Sequence, residues 1–516
     1  MTLFTSLNIA KQALALNQVA LNIVSSNITN MDNENYSKQR VEMVSGGTIT
    51  VNGKYTTTQA TAGAQIGSIA RYRQAYLDNE YRSQSSDYSY YNELATQASK
   101  IETVFTGELS GGGLQDAMTD FVSACETLNS DPKNETYRTN FLQKAQILCT
   151  QFNQAATTLT NARTDLVGNT SDSSSIRQSL LYTGLTEVNS KLEQLAGINS
   201  KIIQATSNGT VSNDLLDQRD ALLDDISEYI PVQVTETANS SVTLTMNGVT
   251  LVQGTHANSF DVTMGTDDTP TVVQLFDSEG NLINKNVNSA IDSGMLGAYL
   301  EMGSGTSDFS YQSVLDDLNN LANTFATAVN AVQTYDDGTN QAMAIDHDAD
   351  GKAFLSDYSA DGGLPEMFET SDASGTITAA NIKVSADISS NYWKIATARV
   401  DTSGTWDSSS VGNAQNVKLM SSVYSKSTTS LNNMSPESFL TNMVSGIGSS
   451  IETIAFNQSS QASLYDAAGS ARQSAIGVNL NEELVDLTKY QRAFQAASRI
   501  FTTTSEIMDE LVNLGR

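Results

Sequence analysis

At 516 residues the chain is too long for a single hydrophobic core, and two to four domains are the natural expectation. Its 57 acidic against 28 basic residues give a net charge of −29, which argues against nucleic acid or an anionic membrane as partner, because nothing would neutralise phosphate charge. No apolar run is long enough to span a bilayer, and the N-terminus has no basic region followed by an apolar block and a cleavage site, so no Sec-type leader is expected.

From Leu3 to Met31 the pattern is helical. Leu7, Leu14, Leu21 and Ile28 recur every seven residues, with Leu3, Ala10, Val24 and Met31 in companion positions, which is the period of a coiled-coil seam. A further row, Ile9, Leu16 and Ile23, points almost the opposite way, since two residues turn a helix by about 200°. One partner helix covers only one side, so the spacing predicts neighbours on both, as in a helical wall built from several chains; an ordinary bundle core is the plainer alternative. After Gly46-Gly47, Thr48 to Val51 reads as a short strand. A helix is expected from Tyr76-Leu77 to about Phe105, and the tyrosines crowded there (Tyr72, Tyr76, Tyr81, Tyr88, Tyr90, Tyr91) read as packed aromatics. Leu114 to Leu128 and Glu135 to about Leu166 form a helical hairpin around Asp131-Pro132. Cys125 and Cys149 fall on its two arms, about 16 Å apart along the axis. A bridge needs Cα atoms within about 7 Å, so buried free thiols are expected.

A helix follows from Ser175 to about Gln204, ended by Asn208-Gly209. Asn213 to Ile230 is another, with Leu215, Leu216, Leu222, Leu223 and Ile226 on one side. Asp217, Asp220 and Asp224 then fall on a solvated face with Arg219 among them, a pairing worth only tenths of a kcal/mol. Pro231 ends that helix and the period changes to two. Val242-Thr-Leu-Thr-Met, Asn247-Gly248 and Val249-Thr-Leu-Val predict a hairpin, because Asn-Gly readily supplies the positive φ of a type I′ turn. Val272 to Phe276 and Asn281 to Ile283 continue the β region. Helix returns from Ser313 to Val332, and a second β-leaning insertion runs from about Tyr335 to Val411, with Ile377 to Val384 its clearest strand. Ser435-Pro436-Glu437 opens another helix, Pro at its first position behind a Ser cap. The last helix is capped by Asn479, with Glu482 reaching back and Gly477 as a hinge. Along it Leu487, Phe494, Phe501 and Met508 repeat every seven, Tyr490, Ala497 and Leu511 fall three later, and Ala493, Ile500, Ile507 and Leu514 flank the seam.

Chemistry is sparse. Asp346-His-Asp-Ala-Asp-Gly351 matches the first half of a calcium loop, with Asp357 at the twelfth place. Asp is shorter there than the usual Glu and no flanking helices are evident, so a divalent-cation site and a solvated acidic turn both stay open. His256 and His347 lack a nucleophile or carboxylate constellation, and there is no phosphate-binding glycine loop or Cys/His cluster. No catalysis, cofactor or metal is expected.

Ala20-Leu-Asn-Ile-Val-Ser-Ser-Asn-Ile-Thr-Asn with Tyr36-Ser-Lys-Gln-Arg-Val, and Gly477-Val-Asn-Leu-Asn-Glu-Glu-Leu-Val-Asp-Leu-Thr-Lys-Tyr-Gln-Arg-Ala-Phe-Gln-Ala-Ala-Ser-Arg-Ile, resemble the terminal signatures of bacterial flagellar rod, hook and hook-associated proteins. The family carries Thr-Pro-Gly before the Tyr; here Asp32-Asn33-Glu34-Asn35 stands in that place, and Asn tolerates positive φ less well than Gly. Gly63 to Arg73 and Asn213 to Ile230 are similar to phrases of the hook-associated members. The resemblance implies an α+β multidomain chain: terminal coiled-coil helices (1–45 with 476–516), a helical-bundle layer (46–230, 291–334, 413–475) and inserted β-rich outer domains (231–290, 335–412). It implies a non-enzymatic, extracellular axial component at the hook-filament junction, exported without cleavage. Expected partners are further copies in a helical or ring assembly, the hook protein, a second junction protein and an export chaperone, with no nucleic acid and no membrane. Leu7, Leu14, Leu21, Ile28, Leu487, Tyr490, Phe494, Phe501, Met508 and Leu511 would form the assembly seam, and in a solitary chain both ends would fray. A hook, rod or filament subunit with the same ends, a secreted adhesin using the β insertions, and a hydrolase remain as other readings.

Overall fold

The computed structural model describes residues 2–514 except 34, 47, 53–56, 62, 106–112, 171, 209–211, 268, 306, 349–350, 373 and 402–409. Without Pro or Gly to interrupt it, α1 (Thr2–Thr29) runs unbroken. The turn after it uses Asn33, whose carbonyl accepts from the Tyr36 N–H (3.0 Å) and whose side chain accepts from the Asn35 N–H (3.1 Å). Asn33 takes no positive φ, and its side-chain bond holds the turn instead. The chain then forms a long antiparallel hairpin: β1 (Gln39–Ser45) pairs with β4 (Ala64–Arg71), Gln39 opposite Arg71, and β2 (Thr48–Asn52) with β3 (Thr57–Thr61). This hairpin lies on α1. Val41 packs with Ala20 and Ile23, and Gly63 sits against Ile9. The second apolar row of α1, expected to need another chain, is therefore covered by the chain's own hairpin.

The body begins with α2 (Ala75–Phe105). The α3 (Leu114–Ser130) and α4 (Glu135–Val167) hairpin turns at Asp131-Pro132, and the Asn134 side chain caps α4 by accepting from the Thr136 and Tyr137 N–H groups. The helix expected from Ser175 is divided. A single turn, α5 (Ser173–Ile176), stops short of α6 (Leu180–Ser207), because the Ser179 hydroxyl caps α6 at the Tyr182 N–H. Then comes α7 (Asn213–Tyr229), closed before Pro231.

β5 (Gln233–Glu236), β6 (Val242–Met246), β7 (Val249–Gln253) and β8 (His256–Ala257) make a four-stranded meander. β9 (Ser259–Met264), β10 (Thr271–Phe276) and β11 (Leu282–Asn284) make a second sheet. Asn247 (φ 44°) and Gly248 (φ 84°) form the expected tight turn. The sequence pattern missed α8 (Gly294–Gly303), which packs on α2 and sets glycines against two further helices: Gly303 abuts Val167 at the end of α4, and Gly294 (φ 74°) lies against the Tyr229 carbonyl of α7.

Next comes α9 (Tyr311–Gln333), opened by a reciprocal Ser310–Ser313 cap. In the outer insertion β12 (Asn340–His347) is central between β13 (Ala353–Ser356) and β16 (Ala398–Asp401). β14 (Phe368–Thr370) pairs with β15 (Ile382–Val384), followed by the short α10 (Ala386–Ser390). The strand expected from Ile377 begins only at Ile382, since the Asn381 amide turns inward to the Thr376 carbonyl and Asp372. The chain returns through α11 (Gln415–Val423) and α12 (Pro436–Ile476), which runs along α2, and ends in α13 (Leu480–Leu514).

One continuous core joins the helices of the body to the sheets of residues 233–284, with the Phe121 ring touching those of Phe141, Phe325 and Phe368 and Phe325 touching Phe368. Cys125 and Cys149 lie in it as free thiols. A smaller core of Met343, Ile345, Leu355, Ala398 and Val411 serves the outer insertion. The insertion is tied to the body by Arg138, a fully buried cation with no carboxylate partner among the described residues. Its guanidinium donates to the carbonyls of Pro132 (2.7 Å), Tyr392 (3.2 Å) and Ile395 (3.1 Å) and to the Thr397 hydroxyl (3.2 Å). Burial lowers its pKa to about 10.

Candidate assembly interface and its junction with the body

The two ends of the chain meet: α13 packs along α1. On α13, Leu487, Tyr490, Phe494, Ala497, Phe501, Thr504 and Met508 are buried or half-buried, in alternating steps of three and four, whereas Leu511 is exposed. On α1 the expected row is displaced. Leu7, Leu14, Leu21 and Ile28 are half-buried, while full burial belongs to the smaller Ala10, Asn17, Ala20, Val24 and Asn27 and to Leu16 and Ile23. Small side chains let two helices approach closely, and the leucines are left straddling the contact. A second set on α13 stays uncovered: Leu484, Val485, Ile500, Ile507, Leu511, Val512 and Leu514 are 47% to 79% exposed. Both ends are continuous helices that cover one side of each other and leave another side open.

Polar groups fix the root of this pair. Asn27, buried on α1, donates to Glu483 Oε2 and to the Gln39 carbonyl (both 3.0 Å). Lys38 Nζ bridges Glu482 (2.9 Å) and Glu483 (3.2 Å), and the Lys38 N–H donates to the Ile476 carbonyl (3.2 Å). Glu482 therefore reaches across to Lys38 instead of closing the cap of its own helix. Asn479 still caps α13, accepting from the Asn481 N–H.

Below the root lies a cluster the sequence pattern concealed. Asp217, Arg219 and Asp220, expected on a solvated face, are buried. Arg71 from the end of β4 contacts Asp217 (2.6 Å) and Asp220 (2.9 Å), and Arg73 contacts Asp220 (2.6 Å). Arg219 lies 2.9 Å from its neighbour Asp220, while Arg82 on α2 and Arg472 near the end of α12 hold Asp224 (2.7 and 2.6 Å). Arg472 also meets Asp78 (2.9 Å), and the Ser37 hydroxyl donates to Asp217 (2.7 Å). Burial alone would raise the Asp220 pKa; the guanidiniums of Arg73, Arg219, Arg71 and Arg82 outweigh it and hold the carboxyl well below the usual range. Every segment passing between the terminal pair and the body touches this root or this cluster. The available signal was five arginines placed opposite aspartates in a chain short of basic residues.

The Asp346–Gly351 motif forms the β12–β13 turn, in which the Asp348 side chain accepts from the Lys352 N–H (2.7 Å). Ala349 and Asp350 lie outside the described residues. Among the described residues no group of three or more Asp, Glu, His or Cys side chains is placed to hold a metal, and no helix is long and apolar enough to cross a membrane.

Comparison with known proteins matches this architecture. The family model "Flagellar hook-associated protein FlgK helical domain" matches residues 98–346, and "Flagellar basal body rod FlgEFG protein C-terminal" matches residues 472–514. The flagellar hook-associated protein 1 of Bacillus subtilis (strain 168) is 25% identical, covering 99% of this chain and 98% of the relative. That of Salmonella typhimurium is also 25% identical, covering 98% and 99%. The structure of the flagellar hook junction protein FlgK from Burkholderia pseudomallei superposes with a TM-score of 0.56 at 14% identity, over 78% of this chain and 100% of that one, which speaks for the fold. With family sequence at both its helical body and its C-terminal helix, and relatives aligned from end to end, this chain belongs to the flagellar hook-associated protein 1 family of structural axial proteins.

Proposed function

We propose that the chain acts outside the cell as a subunit of the hook-filament junction, its α1–α13 pair standing in a wall of identical pairs while the body projects outward. The observation that carries this reading is the exposed apolar row on α13. Ile500, Ile507 and Leu514 lie on the flank of a helix already covered along its seam, and a contiguous apolar strip of this kind marks a protein–protein contact. Its occupant is a neighbouring copy in a ring or helical array. The seam residues Leu7, Leu14, Leu21, Ile28, Leu487, Tyr490, Phe494, Phe501 and Met508 then serve two contacts, one within the chain and one between chains, and the exposed Leu511 serves the second alone. The hook protein on one side, a second junction protein on the other and an export chaperone beforehand complete the set of partners. The role is structural, with no catalytic step assigned, and the chain travels unfolded.

The test is the double variant I500S/I507S, which alters exposed positions and leaves the intrachain seam intact. Export should persist, far-ultraviolet circular dichroism should match wild type, and cells should shed their filaments. Normal filament attachment by that variant overturns the reading. Immunolabelling of isolated flagella should mark only the boundary between hook and filament; label along the hook, rod or filament would point to another axial subunit, and label elsewhere on the surface to an adhesin.

A further inference from the structure

The arginine–aspartate cluster encloses a cavity of about 170 Å³, roomy enough for several water-sized groups. Arg71, Arg73, Arg82 and Arg219 line it with Asp78, Asp220 and Glu236, while Asp217 and Asp224 pair with Arg71 and Arg82 beyond the lining. The carboxylates are already engaged. Asp220 is shared among Arg71, Arg73 and Arg219, and Asp224 accepts from both Arg82 and Arg472. Asp78 Oδ1 and Arg472 Nε both lack an aligned hydrogen bond but lie 2.9 Å apart, so a small rotation satisfies each with the other.

What remains is an excess of donors. Arg73 Nε and Arg82 Nη2 are buried without a hydrogen-bonded acceptor, Arg82 Nη2 lying 3.9 Å from Asp220, and Arg82 is only 3% exposed. A buried guanidinium N–H needs a partner, and guanidinium can only donate. Water offers lone pairs but no charge. A tetrahedral oxyanion offers several acceptor oxygens, and a charge that strengthens each bond, in the geometry that arginine forks match best.

We propose that this cavity binds one small inorganic oxyanion, of which phosphate is the probe, held by Arg73 and Arg82 with Arg71 and Arg219 alongside. Arg71 and Arg73 belong to the segment leading out of the terminal hairpin, whereas Arg82 and Arg219 sit on α2 and α7 of the body. The bound ion therefore clamps the connecting segment to the body. Glu236, half-exposed on the rim and 3.8 Å from Arg219, weakens the site by like-charge repulsion. None of this depends on the flagellar role.

The experiment is thermal unfolding of the full chain in a phosphate titration at constant ionic strength, with chloride as the balancing salt, together with calorimetry for stoichiometry. Wild type should show a saturable rise in Tm and one ion bound per chain. Arg73→Gln should lose the saturable response, and Glu236→Gln should reach half-saturation at about threefold lower phosphate, the effect of removing one nearby negative charge in a partly screened site. A wild-type response no larger than that to chloride, an undiminished response in Arg73→Gln, or an unshifted midpoint in Glu236→Gln overturns the proposal. If Arg73→Gln does not fold, the Glu236→Gln midpoint decides alone, since that side chain is at the rim.

Discussion

Asp220→Asn tests whether the buried cluster holds the terminal pair to the body. The substitution keeps the shape of the side chain and removes its charge. It leaves Arg71, Arg73 and Arg219, which lie 2.6 to 2.9 Å from the carboxylate, facing one neutral oxygen and an amide that is itself a donor. Removing one member of a buried ionic group costs about 3–5 kcal/mol, because the partners keep their charge and lose its compensation. Whole domains are stable by only about 5–15 kcal/mol, so the loss should be plain in urea unfolding at pH 7. The pH dependence gives a second reading. The folded carboxyl titrates below the unfolded value of about 3.9, so its contribution is complete above that pH and is lost as pH falls through the folded value. The gap between wild type and Asp220→Asn should accordingly be widest near neutrality and narrow under acid. Limited proteolysis should also open the Arg71–Arg73 segment in the variant. A variant within about 1 kcal/mol of wild type at pH 7, or a gap that does not shrink in acid, would refute the assignment.

Other expectations are simpler to state. Arg138→Met should destabilise the chain by about 3 kcal/mol or more, because the carbonyls of Tyr392 and Ile395 lose their donor inside the protein, and proteolysis should release the 392–397 segment first. Phe501→Ala, at a half-buried seam position, should weaken the α1–α13 pair by about 2 kcal/mol, read by amide exchange in α1, and lower incorporation into flagella. Burial pushes the Cys149 thiol up to about 12 and raises that of Cys125 as well, so neither should react with a thiol reagent at pH 8 until the body unfolds. Reaction of either cysteine in the native protein would show that the α3–α4 core opens.

Much of the backbone could be read locally because the punctuation is local. Pro231 closes α7, Ser435 with Pro436 opens α12, and Asn247-Gly248 turns β6 into β7, each through a constraint confined to a few neighbouring residues. The errors share one cause: they are decisions made by distant partners. Asp217, Asp220 and Asp224 look solvated beside Arg219, but Arg71, Arg73, Arg82 and Arg472 come from other elements to pair with them. The seam of α1 was drawn through its leucines because hydropathy ranks Leu above Ala and Asn. The close contact selects Ala20 for size and Asn27 for its bond to Glu483. Likewise α8 is rich in glycine, a poor helix former, and it persists because Gly294 and Gly303 admit Tyr229 and Val167 at distances a side chain would forbid.

The α1 helix takes its cover from one made long after it. Ribosomal synthesis delivers the partner of α1 only after some four hundred and fifty intervening residues have been joined, so for nearly the whole life of the nascent polypeptide that flank waits unpaired. A premature stop codon just ahead of Leu480 would therefore yield a product whose body is intact and whose defect lies at the opposite terminus.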